Sequence, residues 1–302
     1  MSGIDDQSAR NLFVPAYAKI NLTLDVLGKR EDGYHRLASV MQTVALHDTL
    51  HIQAHDDGAI ALDCDVAELR TDDNLALRAA RLLAGTAPDR RLGARIELRK
   101  EVPTQAGLGG GSSDGASVLT TLNALWRLGL SIERLEALAA QLGSDVPFFV
   151  RGGTALIEGR GEYVTPLPDA EPLWLVLAKP PIGVPTAQVF RGLRAESYTT
   201  GEDSEAVVSA IRERRPLPFE RLTNALEPSV LQMFPPVALA RDVLLNAGAP
   251  LVRLSGSGPT LFAPFRRLGD AAAVAERARA NTSGIAIWLT HTIGRGYGGV
   301  SH

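Results

Sequence analysis

Between Val102 and Ser117 the chain reads VPTQAGLGGGSSDGAS, and four of the five residues from 107 to 111 are glycine. Glycine gives up the most backbone entropy on folding and packs nothing, so such a run reads as a loop. Its flanks are structured. ARIELRK before it places Ile96 and Leu98 on one face of a strand, and after it Val118, Leu119, Leu122, Leu125 and Trp126 share one face of a helix. The chain is thereby committed to strand, bare-backbone loop and helix in succession. A helix start carries free N–H groups and roughly half a positive charge, and Gly107, Gly109, Gly110 and Gly111 let a ligand approach that backbone. Ser112 and Ser113 are placed to cap the helix and to add hydroxyl donors. The combination suits a phosphate. A plain glycine turn explains neither the serines nor the long helix. Two better-known phosphate loops are excluded: no lysine completes a Walker pattern, and G-x-G-G-G-S followed by Asn123 and Leu125 is not a Rossmann fingerprint.

Around this loop the chain alternates between period-2 and helical spacing. AKINLTLDVLG reads as one strand with Ile20, Leu22, Leu24 and Val26 inward and Lys19, Asn21, Thr23 and Asp25 on the other face. After the Asp32-Gly33 turn, SVMQTVAL and DTLHIQA read as two further strands. TDDNLALRAARLLAG and SIERLEALAAQLG are helical, the second with Ser131 as N-cap and Gly143 past its end. Asp145 follows in GSDVP, where Pro147 stops that helix and leaves the carboxylate on a connection. Further on, strands are expected at TALIEG, LWLVLA, LVRL, TLFAPF and IAIWLT, with helices at 186–193, 205–214, 237–246 and 270–280. Strands and helices mixed without strict alternation give an α+β class. GRGYGGVSH reads as a frayed end.

With 302 residues the chain is long enough for about two domains at roughly 150 residues each. A net charge of −3 gives no general attraction to nucleic acid or to an anionic membrane. The single cysteine excludes a disulfide framework or a Cys-rich metal site. The acidic, polar start and the absence of a long apolar run point to a cytoplasmic protein. Nothing in the sequence selects an oligomeric state.

Three separated segments, PAYAKINL (15–22), GLGGGSSD (107–114) and LSGSGPT (254–260), resemble the GHMP small-molecule kinases. PAYAKINL followed by REDGYH (30–35), together with GSDVPFF (143–149), is similar in particular to the branch whose acceptor carries a cytidine diphosphate group. The resemblance is dense over the first 160 residues and rests afterwards on PTAQVF and LSGSGPT. It implies a two-domain GHMP kinase fold. Residues 1–160 would form an N-terminal catalytic domain like one found in a ribosomal protein. Residues 161–302 would form a ferredoxin-like domain closing the cleft, its last strand near 285–290 packing back on the first. The implied reaction is ATP-dependent phosphorylation of the 2-hydroxyl of a cytidine-diphosphate-linked methylerythritol.

Carried over residue by residue, the resemblance makes Asp145 the base and Lys19 the cation beside it. Pro103, Gly107, Leu108, Gly109, Gly110, Gly111, Ser112 and Ser113 would hold ATP. Asn74 and Lys100 are further nucleotide-side candidates, although Asn74 reads equally as a helix cap. Strand alternation puts Asn21 on the face of Lys19, and the family uses this asparagine at the acceptor. Tyr34 and His35 would take the cytidine, with Phe190 as opposing ring and Thr186 nearby; a hairpin end and a core aromatic are the plainer readings. Ser255, Gly256, Ser257 and Gly258 form a second small-residue loop that would close on the phosphates. Mg²⁺ is expected as partner of ATP. No ligand set is assigned beyond Ser113. The loop has Asp114 where many relatives have asparagine, which leaves this carboxylate between a metal contact and a helix-turn residue.

A kinase for homoserine, mevalonate or a sugar is the nearest alternative, and DGYH with Phe190 argues against it because those acceptors offer no pyrimidine. A nucleic-acid-binding module is disfavoured by charge. His47, His51 and His55 recur every four residues but lie in strand spacing, about 13 Å apart at ~3.3 Å per residue for the last two, too far for one metal. Arg212, Arg214, Arg215, Arg266 and Arg267 read as solvated, and Cys64 as an unremarkable thiol.

Overall fold

A computed structural model of the chain describes residues 10–295. The polar start and all but Gly294 and Arg295 of the expected frayed end lie outside the described residues. In chain order come β1 (Asn11–Asn21), β2 (Asp25–Lys29), β3 (His35–His55), β4 (Ile60–Cys64), α1 (Leu75–Ala84), β5 (Gly93–Arg99), α2 (Gly110–Leu125), α3 (Ile132–Leu142), α4 (Val146–Arg151), β6 (Thr154–Gly159) and β7 (Tyr163–Pro166). Their strands form one sheet in the order β4-β5-β3-β6-β7, with β1 and β2 also paired to β3. There follow β8 (Trp174–Lys179), α5 (Thr186–Arg191), α6 (Glu202–Arg212), α7 (Glu227–Met233), α8 (Pro235–Asn246), β9 (Arg253–Leu254), β10 (Leu261–Phe265), α9 (Leu268–Ala280) and β11 (Ala286–His291). These strands build a second, antiparallel sheet, β11-β8-β10-β9.

The two sheets share a core. Ala18, Ile20 and Val40 of the first pack with Leu175, Leu177 and Phe262 of the second and with Val207, Val208 and Ile211 of α6. Beyond β11 the chain returns to the first sheet, where Thr292 bridges Val44 and Gln42 Nε2 donates to the Ile293 carbonyl at 2.8 Å. No described helix is long and apolar enough to cross a membrane.

Several elements differ from the sequence reading, each for a physical reason. The two strands expected at 39–46 and 48–54 are one 21-residue strand, β3. Asp48, which begins the second expected strand, is fully buried and accepts N–H bonds from Glu101 and Val102 at 2.6 and 2.8 Å, so a polar residue fits mid-strand. Conversely, the strand expected over 18–28 is two. β1 ends at Asn21, and Leu24 leaves the ladder to bond Thr223 and bridge Asn224. β1 also begins earlier than expected, with Pro15 tolerated because this strand pairs on one side only.

Helix α2 is not amphipathic in the expected sense. Gly110, Ser113, Asp114, Gly115 and Ala116 are buried along with its leucines, because small residues let α1 and the sheet approach closely. Its N-cap is Gly109, not a serine. Pro147 does not only end a helix; it sits in the first turn of α4, where a missing N–H costs nothing. Strands β4 and β7 and helix α7 had no counterpart in the reading.

Candidate active site

The first glycine loop is pinned from three sides. The Leu108 carbonyl accepts the Lys19 N–H at 2.9 Å, tying the loop to β1, while the Leu108 side chain is fully buried. Gly107 has φ +74°, and a Cβ there would lie 2.2 Å from the Ser255 carbonyl oxygen. Gly109 has φ +71°, and its Cβ would meet the Phe149 ring at 2.6 Å. Only glycine permits these backbones to pack so closely. The first intrahelical bond of α2 runs from Ser113 N to Gly109 O at 2.9 Å, so the N–H groups of Gly110, Gly111 and Ser112 have no acceptor within the helix. They form a ready anion site at a helix start.

The second loop, 255–258, docks against the first. Ser255 Oγ donates to the Gly107 carbonyl at 3.0 Å, and Thr260 N donates to the Ala106 carbonyl at 3.2 Å. Buried Asn224 holds this loop from below, its Nδ2 donating at 2.8 Å to the carbonyls of Leu254 and Gly256. Ser257 Oγ lies 2.8 Å from Thr186 Oγ1 at the start of α5. Asn224 escaped the sequence reading because a single asparagine in a coil segment carries no pattern.

Lys19 and Asn21 share a face of β1, as alternation requires, and Lys19 Nζ donates to Asn21 Oδ1 at 2.7 Å. Lys19 Nζ stands 3.6 Å from Asp145 Oδ2. The lysine side chain is buried while that of Asp145 is about one third exposed, so the carboxylate opens to solvent. Asp145 occupies the N-cap position of α4 yet makes no capping bond, which leaves its oxygens available. Gly256 of the second loop approaches until a Cβ would sit 3.4 Å from Lys19 Nζ. Both loops, the lysine and the carboxylate therefore converge.

Two expected nucleotide contacts have their side chains engaged elsewhere. Asn74 caps α1, its Oδ1 accepting from Ala76 N at 2.9 Å and its Nδ2 donating to the Leu69 carbonyl at 2.9 Å. Lys100 is only 5% exposed and is clamped between Asp48 and Asp114, with Nζ 2.8 Å from Asp114 Oδ2. Burial favours discharging this lysine, but the two carboxylates prevail and hold its pKa above the ordinary value. Burial pushes the Asp114 carboxyl up to about 7 against the pull of Lys100, with the Asp48 charge adding to the rise. Asp114 is thus an internal strut of the helix start, and its Oδ1 has no partner among the described residues. The pairing was not legible from sequence because Asp48 lies 52 residues from Lys100.

At the far end of β3, His35 faces Phe190 with ring centroids 5.3 Å apart, and Tyr198 closes edge-on at 6.0 Å. Burial, aided by the Lys29 charge, lowers the His35 pKa, which favours the neutral ring. Tyr34 is 55% exposed beneath the Arg160 guanidinium, 5.4 Å from its ring centre. Tyr198 was passed over as part of a polar stretch; its signal was the lone aromatic in YTTGEDSE.

Two family models match the chain. The GHMP kinases N terminal domain matches residues 74–153, and the GHMP kinases C terminal model matches 207–283. The chain belongs to the GHMP kinases, which use ATP to phosphorylate small molecules. Within that family it is 46% identical to 4-diphosphocytidyl-2-C-methyl-D-erythritol kinase of Pelotomaculum thermopropionicum, over 91% of this chain and 96% of that one. It is 41% identical to the kinase of the same name from Synechocystis sp., covering 93% and 96%. A crystal structure of 4-(cytidine 5'-diphospho)-2C-methyl-D-erythritol kinase superposes with a TM-score of 0.81 at 35% identity, over 94% of this chain and 100% of the other.

Proposed function

We propose that this chain is a cytoplasmic enzyme of the non-mevalonate isoprenoid route that transfers the γ-phosphoryl group of ATP to the 2-hydroxyl of 4-diphosphocytidyl-2-C-methyl-D-erythritol. The observation that carries the reading is the Lys19–Asp145 pair, 3.6 Å apart, lying against two loops that touch backbone to backbone. Phosphoryl transfer needs positioning and charge stabilisation more than covalent help from the protein. The free amides of Gly110, Gly111 and Ser112 and the α2 dipole face the phosphates. Asp145 takes the proton from the acceptor hydroxyl, and Lys19 holds that carboxylate in place while offsetting charge on the transferred group. Asn21 aligns the methylerythritol end. His35, Phe190 and Tyr198 form the aromatic site for cytosine, with Tyr34 and Thr186 at its margin. The first sheet and its helices supply the nucleotide side, and the second half covers the acceptor.

Mg²⁺ accompanies ATP in this reading. Among the described residues no group of three or more acidic, histidine or cysteine side chains could hold a metal ion by itself; the Ser113 hydroxyl beside the loop would be a protein donor, with nucleotide phosphates and water as the others. The ion supplies charge neutralisation when bound.

The test is ADP release with ATP and Mg²⁺ against the cytidine-bearing alcohol, mevalonate, homoserine and galactose. Turnover is expected with the first alone, and comparable rates on any other acceptor refute the assignment. In the same assay His35→Ala is expected to raise KM for the cytidine acceptor about tenfold, the scale of one lost base-stacking or hydrogen-bonding contact. KM for ATP stays nearly constant. Equal rises in both would remove His35 from the cytosine site.

A further inference from the structure

A line of buried polar groups runs from Lys19 into the protein. Lys19 Nζ donates to Asn21 Oδ1, and Asn21 Nδ2 donates to Ser39 Oγ at 2.8 Å. Ser39 Oγ in turn donates to the Thr23 carbonyl at 2.5 Å. The Thr23 hydroxyl accepts from Val40 N at 3.0 Å and lies 2.7 Å from Ser204 Oγ. Ser204, in the first turn of α6, donates to Asp25 Oδ2 at 2.5 Å, with the Ala38 carbonyl as a longer second acceptor at 3.1 Å. A hydroxyl has one proton, so in the Thr23–Ser204 pair the threonine is the donor. Every bond in the line therefore runs from the ammonium of Lys19 toward the carboxylate of Asp25. None of the six side chains belongs to a residue more than 3% exposed.

This direction settles how Asn21 lies. The two ends of an asparagine amide have nearly the same shape, and a half turn would set its NH₂ against the Lys19 ammonium. Ser39 forbids that turn. With its proton committed to the Thr23 carbonyl, Ser39 Oγ presents only lone pairs, which accept Asn21 Nδ2–H and repel Oδ1. The oxygen must then face Lys19, and Lys19 retains two N–H groups for Asp145 and the transferred phosphoryl group.

We infer that Ser39 is a positioning residue for phosphoryl transfer: it fixes the Asn21 amide and, through it, the place of Lys19 Nζ. The inference rests on the reading of Lys19 and Asn21 as working groups of the site. Thr23, Ser204 and Asp25 anchor the far end, the line passing through Thr23 from its carbonyl to its hydroxyl, so the helix start of α6 is tied to the site by polar contacts as well as by the shared core.

Kinetics of Ser39→Ala and Ser39→Thr, with the Asn21 side-chain amide resonances of each, provide the test, and Lys19→Ala serves as reference. Ser39→Ala is expected to shift the Asn21 resonances and to lower kcat about tenfold, the scale of one misplaced hydrogen bond. KM for ATP is expected to stay within about twofold, and Ser39→Thr, which keeps the hydroxyl, recovers most of the rate. A kcat for Ser39→Ala within about twofold of wild type overturns the inference, as does a folded Ser39→Thr equally impaired. If Ser39→Thr does not fold, the Asn21 resonances decide: unchanged in Ser39→Ala, they overturn it. Full activity of Lys19→Ala would instead strike at the reading of Lys19 itself, because the amide resonances report on Ser39 independently of turnover.

Discussion

Asp145→Asn is expected to reduce kcat by about 10² or more, the scale of losing a general base, with only a small fall in melting temperature, because the buried Lys19 ammonium loses a half-open partner and keeps Asn21 Oδ1. The two expectations separate chemistry from structure. Asp145 is about one third exposed, makes no cap bond to α4 and has Lys19 as its ion-pair partner, so asparagine of the same shape removes charge without opening a cavity. The loss should appear in kcat and kcat/KM alike, because the proton is taken only as the hydroxyl attacks. KM for ATP should hold, since the amides at the start of α2 are untouched. Steady-state turnover beside a thermal melt checks both. A folded variant with near-wild-type kcat removes Asp145 from the mechanism, and a variant largely unfolded at the assay temperature makes it a structural residue.

What the sequence disclosed and what it concealed follow one physical division. Local chemistry was legible. Gly107 is needed where backbone meets backbone, and Gly109 where backbone meets the Phe149 ring, at distances no Cβ tolerates, and such positions announce themselves as glycine whatever the fold. Alternation along β1 placed Lys19 and Asn21 together because the side-chain period of a strand is two. The meeting of His35 with Phe190 came from family resemblance, since 155 residues separate them and no periodicity links them.

The elements that escaped are those decided by distant partners. Asp48, placed at the start of a second strand, lies in the middle of one because Glu101, Val102 and Lys100, brought in by β5, satisfy it. Leu22 and Leu24 continued an alternating pattern, yet each serves a different core, Leu22 the shared one and Leu24 that of the second sheet, so the strand is cut between them. Lys100 was a further nucleotide-side candidate. Its role as the centre of a buried ion cluster depends on Asp114, one turn into a helix whose burial on nearly all sides could not be foreseen from a run of small residues.

That cluster carries the largest stability effect expected. Lys100→Met keeps the aliphatic stem and removes the cation between two carboxylates whose side chains are 0% and 3% exposed. Breaking a buried ion pair by deleting one partner costs about 3–5 kcal/mol, because the remaining charge is left uncompensated. The pH dependence has a definite sign. The Asp114 carboxyl already titrates at about 7 in the folded protein, above its ordinary value of 3.8, and losing Lys100 moves it higher still. A carboxyl raised on folding costs nothing below its unfolded pKa and its full penalty above the folded one. The difference between variant and wild type should therefore be small near pH 4, grow through neutrality and be largest at pH 8. Urea unfolding at those pH values measures it. Lys100→Met with Asp114→Asn should regain much of the loss, since Asp48 alone still has two backbone N–H donors. A pH-independent cost, or one under about 1 kcal/mol at pH 8, would mean that the cluster does not set the stability of the loop–helix junction.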